Sequence, residues 1–220
     1  MNALKGVILG CLICIVPANV AAQTKGAVNR AVQSDGMSAD KLVSLGDFAS
    51  RSNDVSDSAD RYYQEAIKNA PRSQAAGVAQ YNRGAYWFRK YYVVKEQFSK
   101  EDPAALTAAE GQFYDFIDKF ARPTNTIQLL SDAEFNLAMV YLQQGKRNYA
   151  TGWLNRMISE AVKDDKTVRI YKVVWSSNVA DIIDRDVDSE QLAVFTRQSI
   201  EKGLAFNEVV SEVKRWCKQQ

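Results

Sequence analysis

The stretch NLAMVYLQQGKRNYATGWL, from Asn136 to Leu154, decides the fold that this sequence predicts. Its apolar residues follow helical spacing on both sides of a polar turn that contains Gly145. Nearly the same spacing occurs upstream, in a set of small, leucine and aromatic residues that ends at a proline: Leu42, Leu45, Gly46, Ala49, Ala59, Tyr63, Ala66 and Pro71. Self-similarity at a period of ~34 residues is typical of an array of helical hairpins. The sequence therefore predicts an all-α fold.

A middle unit, rich in aromatic residues, lies between these two. We expect its first helix to run from Gln74 to about Phe98. Its second helix should begin at Pro103, a residue suited to a first helical turn, and end at about Phe120. Aromatic residues at helical spacing usually belong to a core, and a binding platform is the alternative for this cluster.

The three units resemble the tetratricopeptide repeat (TPR) family, and the resemblance covers about residues 39 to 165. It is carried by these residues: Leu45, Gly46, Ala59, Tyr63, Ala66 and Pro71 in the first unit, Gly84, Trp87, Ala109 and Phe113 in the second, and Leu137, Ala138, Tyr141, Gly145 and Ala150 in the third. The second unit departs from the family in the longer link between its helices. The resemblance implies an antiparallel helical-hairpin solenoid with a helical C-terminal extension.

Small and large residues occupy different positions between the packed helices of such a solenoid. Small residues are expected where two helix backbones approach closely, and they are Gly46, Ala59, Gly84, Ala138 and Ala150. Large residues fill the remaining space at close-packed density, and they are Tyr63, Trp87, Phe113 and Tyr141. A single hairpin cannot bury its apolar face alone, so stacked units are needed for a continuous core.

The resemblance also implies a partner site on the concave face formed by the first helices of the hairpins. The residues that it places there are Tyr81, Asn82, Phe88, Arg89, Phe135, Asn136 and Met139. Family members that clamp a peptide often use an asparagine to hold the ligand backbone, and Asn82 and Asn136 occupy matching places. The alternative is that both amides satisfy nearby backbone or water. The family's carboxylate clamp is incomplete here, because position 143 is Gln rather than a cation.

The N-terminus has the layout of a secretory signal peptide over residues 1–22. One charge, Lys5, precedes an apolar run, and small residues precede a cleavage site ahead of Gln23. Residues 23–38 are polar and read as a flexible leader. We therefore expect a periplasmic or secreted protein. A lipoprotein anchored through Cys11 is a second interpretation, and an uncleaved anchor is a third.

The composition of the chain disfavours several classes of catalytic, metal-binding and nucleic-acid-binding site. The chain has no histidine, which removes Ser-His-Asp and Cys-His catalysis and the commonest zinc sites. Its formal net charge is +2, far from the basic footprint of a nucleic-acid-binding protein. The prediction is a protein without enzymatic activity, cofactor or metal. Glu65, Glu110 and Asp115 leave a carboxylate-based glycosidase open as an alternative.

Residues 166–220 are predicted as a helical extension. A helical stripe runs from Ile170 to Ile183, and Gly203 separates a last amphipathic helix that could cap the stack. The run Asp184, Asp186 and Asp188 resembles the start of a calcium loop but lacks the glycine that should follow, so a helix-capping turn is favoured. Cys217 reads as a buried cap residue, with a reactive thiol as the alternative.

Together these observations predict an exported, non-catalytic adaptor or scaffold in a bacterial envelope. It would bind a protein or peptide partner, and the assembly of an envelope or secretion machine is one setting for such a protein. A lipid-anchored assembly factor and a helical cell-wall glycosidase are the alternatives.

Overall fold

The computed structural model of the protein describes residues 36–51, 56–164, 167–170 and 185–220, and within them helices dominate. The predicted signal peptide and all of the leader before Gly36 lie outside these residues. The α-helices are α1 (Ala39–Arg51), α2 (Ser58–Asn69), α3 (Gln74–Phe98), α4 (Pro103–Asp115), α5 (Leu130–Gln143), α6 (Arg147–Asp164), α7 (Ser189–Glu201) and α8 (Phe206–Gln219). A π-helical turn, Phe116–Phe120, extends α4, and a 3-10 turn, Ile127–Leu129, leads into α5.

Local sequence chemistry sets the ends of several helices. The Ser38 hydroxyl accepts a hydrogen bond from the Lys41 amide at 3.3 Å at the start of α1. The Asp102 carboxylate accepts one from the Ala105 amide at 3.2 Å, directly ahead of Pro103 in the first turn of α4. Gly145 takes a φ of +75° in the turn between α5 and α6, a conformation that glycine adopts without steric cost. The start of α4 at Pro103 and the turn at Gly145 are confirmed as the sequence predicts them.

The two helices of the second unit have the bounds that the sequence predicts. α3 continues for 25 residues to Phe98, and only the short segment Ser99–Asp102 joins it to α4. Ser99 turns the chain with a φ of 51°. The extra residues of this unit therefore lengthen a helix, whose buried side chains extend to Val93, while Phe98 at its end is 61 % exposed.

Consecutive helices pack on one another from α1 to α8. One cluster of buried apolar residues lies among α1, α2 and the first part of α3, and a larger cluster extends from α3 to α8. The core is thus distributed along the chain of helix pairs. This arrangement confirms the predicted all-helical class.

Glycines at helix crossings let the helices approach closely. A Cβ added to Gly46 would lie 2.4 Å from the Tyr63 ring, and one added to Gly84 would lie 2.6 Å from the Phe113 ring. Ala138 and Ala150 are fully buried in the third pair. The prediction that small residues occupy close helix contacts is confirmed for Gly46 and Gly84.

The C-terminal part departs from the predicted continuous helical extension. Thr167–Ile170 forms a strand, β1, that pairs antiparallel with β2 (Arg185–Asp188), with Thr167 opposite Asp188. Ile170, predicted in a helical stripe, is therefore in a strand, and the rest of that stripe to Ile183 lies outside the described residues. Short β pairing was not visible in the sequence because four residues are too few to show an alternating pattern.

α8 packs against α5 and α3 as well as against its sequence neighbour α7. α8 contacts α7 and α5, and its Phe206 ring stacks on Tyr92 of α3 with centroids 5.8 Å apart. Val209 and Val213 are fully buried, and Lys214 beside them is 7 % exposed. In the described ranges, none of the helices is both long enough and apolar enough to cross a bilayer.

Overfilling a helix crossing should destabilise the protein. Gly84→Leu and Ala138→Leu add volume at positions with no free space, and we expect each to lower the free energy of unfolding by about 1–3 kcal/mol. Ser44→Leu adds a similar volume at an exposed position of α1 and serves as the control. Urea denaturation measures the three differences, and equal values for the buried and exposed substitutions would contradict the packing.

Candidate functional site

The structure places four of the seven predicted partner-binding residues in the apolar core: Tyr81, Phe88, Phe135 and Met139. Phe88 and Phe135 are each 3 % exposed, and Met139 has no exposed surface. Phe88 lies edge-on to Tyr92, which in turn stacks on Phe206 of α8. In this arrangement these side chains expose little or no area, and their role as partner anchors stays a prediction.

Tyr81 and Asn136 are brought together across α3 and α5. The Asn136 amide donates to the Tyr81 hydroxyl at 3.4 Å and, more closely, to the Asp132 carbonyl oxygen at 2.8 Å. The Tyr81 ring is nearly buried and packs edge-on against Phe113 and Phe116. The Asn136 amide thus hydrogen-bonds to the local backbone, as the alternative interpretation expects. The side chain remains partly exposed.

Asn82 connects helices in this structure. Its amide donates to the Asp47 carboxylate at 2.8 Å, and the Tyr63 hydroxyl donates to the same oxygen at 2.7 Å. Asp47, Tyr63 and Asn82 come from α1, α2 and α3, so one carboxylate joins three helices. Sequence reasoning assigned Asn82 to a ligand because the family uses that position so, and the Asp47 partner could not be seen from spacing alone.

A second buried carboxylate, Asp60 of α2, was missed by the sequence analysis. Its oxygens accept hydrogen bonds from Arg83 at 2.7 Å, Trp87 at 3.2 Å and Gln64 at 2.5 Å. Asp60 is 5 % exposed, and a buried charge of this kind is tolerated because it is paired and hydrogen-bonded. The sequence clue was an acid directly beside Ala59 on the buried face of a predicted helix.

Arg89 and Gln143 complete the predicted site. Arg89 lies on α3 and is partly exposed. The Gln143 amide donates to the Tyr91 hydroxyl at 3.1 Å, and its oxygen accepts from the Tyr92 hydroxyl at 2.9 Å. Gln143 therefore hydrogen-bonds to two tyrosines at the end of α5. The family's carboxylate clamp would need a cation at this position. Of the seven predicted residues, Arg89 and Asn136 are the two that are partly exposed.

Asp132 has an unusual environment beside this pair. It lies in the first turn of α5, one turn before Asn136, and burial raises the pKa of its carboxyl to about 8. Desolvation disfavours the charged form of a carboxyl, so near neutral pH this group holds its proton. A protonated carboxyl can donate a hydrogen bond, which adds a donor at the edge of the Tyr81–Asn136 pair.

Each of the three carboxylates considered for glycosidase chemistry forms a salt bridge with a different lysine. Glu65 pairs with Lys68 at 3.7 Å, Asp115 with Lys119 at 2.7 Å, and Glu110 with Lys146 at 3.4 Å.

Glu110 also belongs to an aromatic cluster that sequence reasoning missed. Its carboxylate accepts from the Tyr141 hydroxyl at 3.0 Å, and burial together with this hydrogen bond raises the pKa of Tyr141 to about 12. Tyr141 stacks on Tyr149, and Tyr114 meets Trp153 edge-on. Tyr114 and Tyr149 are more than half exposed.

Two smaller predictions are resolved near the C-terminus. Asp188 caps α7, because its carboxylate accepts a hydrogen bond from the Gln191 amide at 2.8 Å, while Asp184 lies outside the described residues. Cys217 is fully buried, and burial raises the pKa of its thiol to about 11. A protonated, buried thiol is unreactive, so the packing interpretation of Cys217 is the one that fits.

Comparison of the chain with protein-family models, with curated proteins and with solved structures finds no match to any of them. The function must therefore be argued from this chain's own residues.

The role of Asn82 can be tested through stability. Asn82→Ala removes a hydrogen bond to a carboxylate that joins three helices, and we expect a loss of about 1–3 kcal/mol in the free energy of unfolding. Asn207→Ala removes an exposed amide on α8 and is the control. If Asn82→Ala unfolds at the wild-type urea concentration, the hydrogen bond to Asp47 is not structural and the amide is free to serve a ligand.

Asp132 should make stability depend on pH. Its carboxyl is protonated in the folded state up to about pH 8 but ionises near 3.8 once exposed by unfolding. The unfolded state therefore binds fewer protons between these values, and this group's contribution to stability decreases as pH rises through that window. Asp132→Asn should remove this dependence.

The measurement is urea denaturation of wild type and Asp132→Asn at several pH values from 3.8 to about 8. The variant should gain stability relative to wild type as pH rises. Asp118→Asn, at an exposed position, reports the effect of removing one surface charge. A constant difference between Asp132→Asn and wild type across the window would show that the carboxyl is ionised in the folded protein.

Proposed function

We propose that this protein is an exported, non-catalytic adaptor of TPR-like architecture that binds a protein or peptide partner in the bacterial envelope. The observation that carries this proposal is one packing device used twice at matching places. In both the first and the second unit, a glycine of the first helix faces an aromatic ring of the second helix, as Gly46 faces Tyr63 and Gly84 faces Phe113. A recurring unit of this kind is the basis of arrays that present an extended binding surface.

The accessible part of the predicted site is where we expect the partner to bind. Arg89 offers directional, charged hydrogen bonds, and arginine is a frequent anchor of protein interfaces. Asn136 offers its partly exposed amide oxygen as an acceptor, because its N–H groups already donate to Tyr81 and to the Asp132 carbonyl oxygen. Such a surface suits a peptide backbone, whose N–H groups can donate to Asn136 and whose carbonyl groups can accept from Arg89, better than an apolar helix.

The charge and residue content of the chain support a binding role over the alternatives. A net charge of +2 gives little attraction to nucleic acid, and a chain without histidine lacks the usual general base at neutral pH. The carboxylates that could serve a glycosidase each have a cationic partner of their own.

Export is supported by the charged, apolar and small-residue segments of residues 1–22. The processed protein would begin at Gln23. Its intact mass, measured on protein from the native host, tests this, and a mass that retains Met1 or carries lipid on Cys11 would contradict it.

The partner site can be tested by site-specific photo-crosslinking in cells of the native host. A photoreactive amino acid at position 89 or 136 should give a crosslinked adduct with a discrete protein. The same group at Lys68, on the exposed side of α2, is the control and should give none. Arg89→Ala in the chain labelled at position 136 should reduce the adduct by about tenfold or more if arginine is an anchor. Equal adducts at positions 68, 89 and 136 would exclude this surface as the partner site.

A further inference from the structure

Two glycines, Gly111 and Gly152, lie at exposed helix positions where no contact among the described residues requires glycine. A Cβ added to Gly46, Gly77 or Gly84 would come within 3.0 Å of another segment, whereas one added to Gly111 or Gly152 would meet no atom within 4 Å. Glycine in an exposed helix interior destabilises it by about 1 kcal/mol relative to alanine. Among the described residues nothing requires a missing side chain at these two positions, and close approach of a second molecule would explain both glycines.

Both glycines belong to one face, where side chains of α4 and α6 meet. The Tyr114 and Trp153 rings are 6.2 Å apart. Tyr149 stacks on Tyr141 at 5.3 Å, and the Tyr141 hydroxyl donates to Glu110 at 3.0 Å. Residues 110 and 114 of α4 thus lie level with residues 149 and 153 of α6, so the two helices run in the same direction. We call the surface made by Gly111, Tyr114, Tyr149, Gly152 and Trp153 the α4/α6 face.

The α4/α6 face has a shape that complements itself. Along α4 the glycine comes one turn before the tyrosine, and along α6 the tyrosine comes one turn before the glycine. Tyr114 therefore lies level with Gly152, and Tyr149 lies level with Gly111. Tyr114 is 51 % exposed and Tyr149 is 63 % exposed, so the face has two protruding rings and two depressions in alternating positions. Half a turn about an axis parallel to the helices places each ring of one copy over a glycine of the other.

Charge also favours a second copy as the occupant. Much of the outer sides of these helices is exposed and uncharged, through Ala104, Thr107, Gly111, Tyr114, Asn148, Tyr149, Gly152 and Asn155. Two arginines reach the same face, Arg156 over the Trp153 ring at 5.0 Å and Arg197 at 2.7 Å from Asn155, and they pair with Glu134 and Glu201. The outer side of α2, by contrast, carries Arg61 and Lys68. At the border of the face, Lys146 pairs with Glu110, and Arg156 pairs with Glu134 at 3.1 Å. Two copies can therefore meet here without like-charge repulsion, which would otherwise be costly at an interface.

We propose that the α4/α6 face is the interface of a symmetric dimer of this protein. In this dimer Tyr114 of one protomer packs over Gly152 of its partner, and Tyr149 packs over Gly111. A two-fold interface is isologous, so a patch with matched protrusions and depressions is what it requires.

Sedimentation velocity of the purified protein over a range of concentrations tests the proposal. Wild type should sediment as a dimer at high concentration. Gly111→Lys and Gly152→Lys place a long cation in a depression that is open in the single chain, so the helical circular dichroism should be kept while dimer association falls by at least about tenfold. Phe48→Lys, at an exposed aromatic position on α1, should leave association unchanged.

A smaller substitution separates folding from association. Gly152→Ala should raise the thermal stability of the protein at concentrations where it is monomeric, because alanine is the better helix former, yet weaken the dimer. A wild type that is monomeric at every concentration, or a dimer that both lysine variants leave intact, would overturn the proposal. So would a purely heterotypic interface, because the protein alone would then be monomeric.

Disulfide trapping tests the register. A chain with Tyr114→Cys mixed with a chain with Gly152→Cys should give more crosslinked dimer on oxidation than either chain alone, because the proposed pairing brings these two positions together across the interface. Equal crosslinking of the mixture and of the single variants would overturn the register.

Discussion

The close approach of paired helices at Gly46 and Gly84 is the constraint on which the rest of the structure depends. At each crossing an aromatic ring of the second helix, Tyr63 or Phe113, occupies the space that a side chain on the first helix would need. The ring is buried because the glycine has no Cβ, and the two backbones are fixed at the distance that the ring allows. This contact sets the spacing of the two helices within each of the first two pairs. The positions of α3 and α5, and with them the surface that carries Arg89 and Asn136, follow from it.

Two carboxylates, one partly exposed and one buried, then fix the orientation that apolar packing leaves adjustable. Asp47 and Asp60 each accept several hydrogen bonds, and their donors lie on α3 as well as on their own hairpin. Apolar contacts are not directional, whereas these hydrogen bonds are satisfied in one arrangement of the helices, and leaving such a charge unpaired is costly. Hydrogen bonds between polar side chains therefore connect the first hairpin to the second, and the Asn82 amide donates one of them.

The sequence was sufficient for features that are local. Ser38, Pro103 and Gly145 act on their own turn of the chain, so their effects could be predicted without knowledge of the neighbours. The candidate site was less predictable, because helical spacing shows which face of α3 or α5 is apolar but not what covers it. Phe88 and Met139 are buried among helices that include α8, a segment far away in the sequence. For the same reason the partner of Asn82, 35 residues upstream, could not be inferred.

The two candidate surfaces lie on different helices, and this separation has a consequence for binding. Arg89 and Asn136 belong to α3 and α5, the first helices of their pairs, while the α4/α6 face belongs to the second helices. A dimer through the second helices would leave both partner sites open and held at a fixed spacing. When two sites engage one multivalent target, the second contact is intramolecular, and the overall affinity can exceed that of a single site by about 10²–10⁴-fold without any new contact. Weak polar anchors such as an arginine and an amide are then adequate for an adaptor. A partner surface with little exposed apolar area is therefore compatible with a binding role.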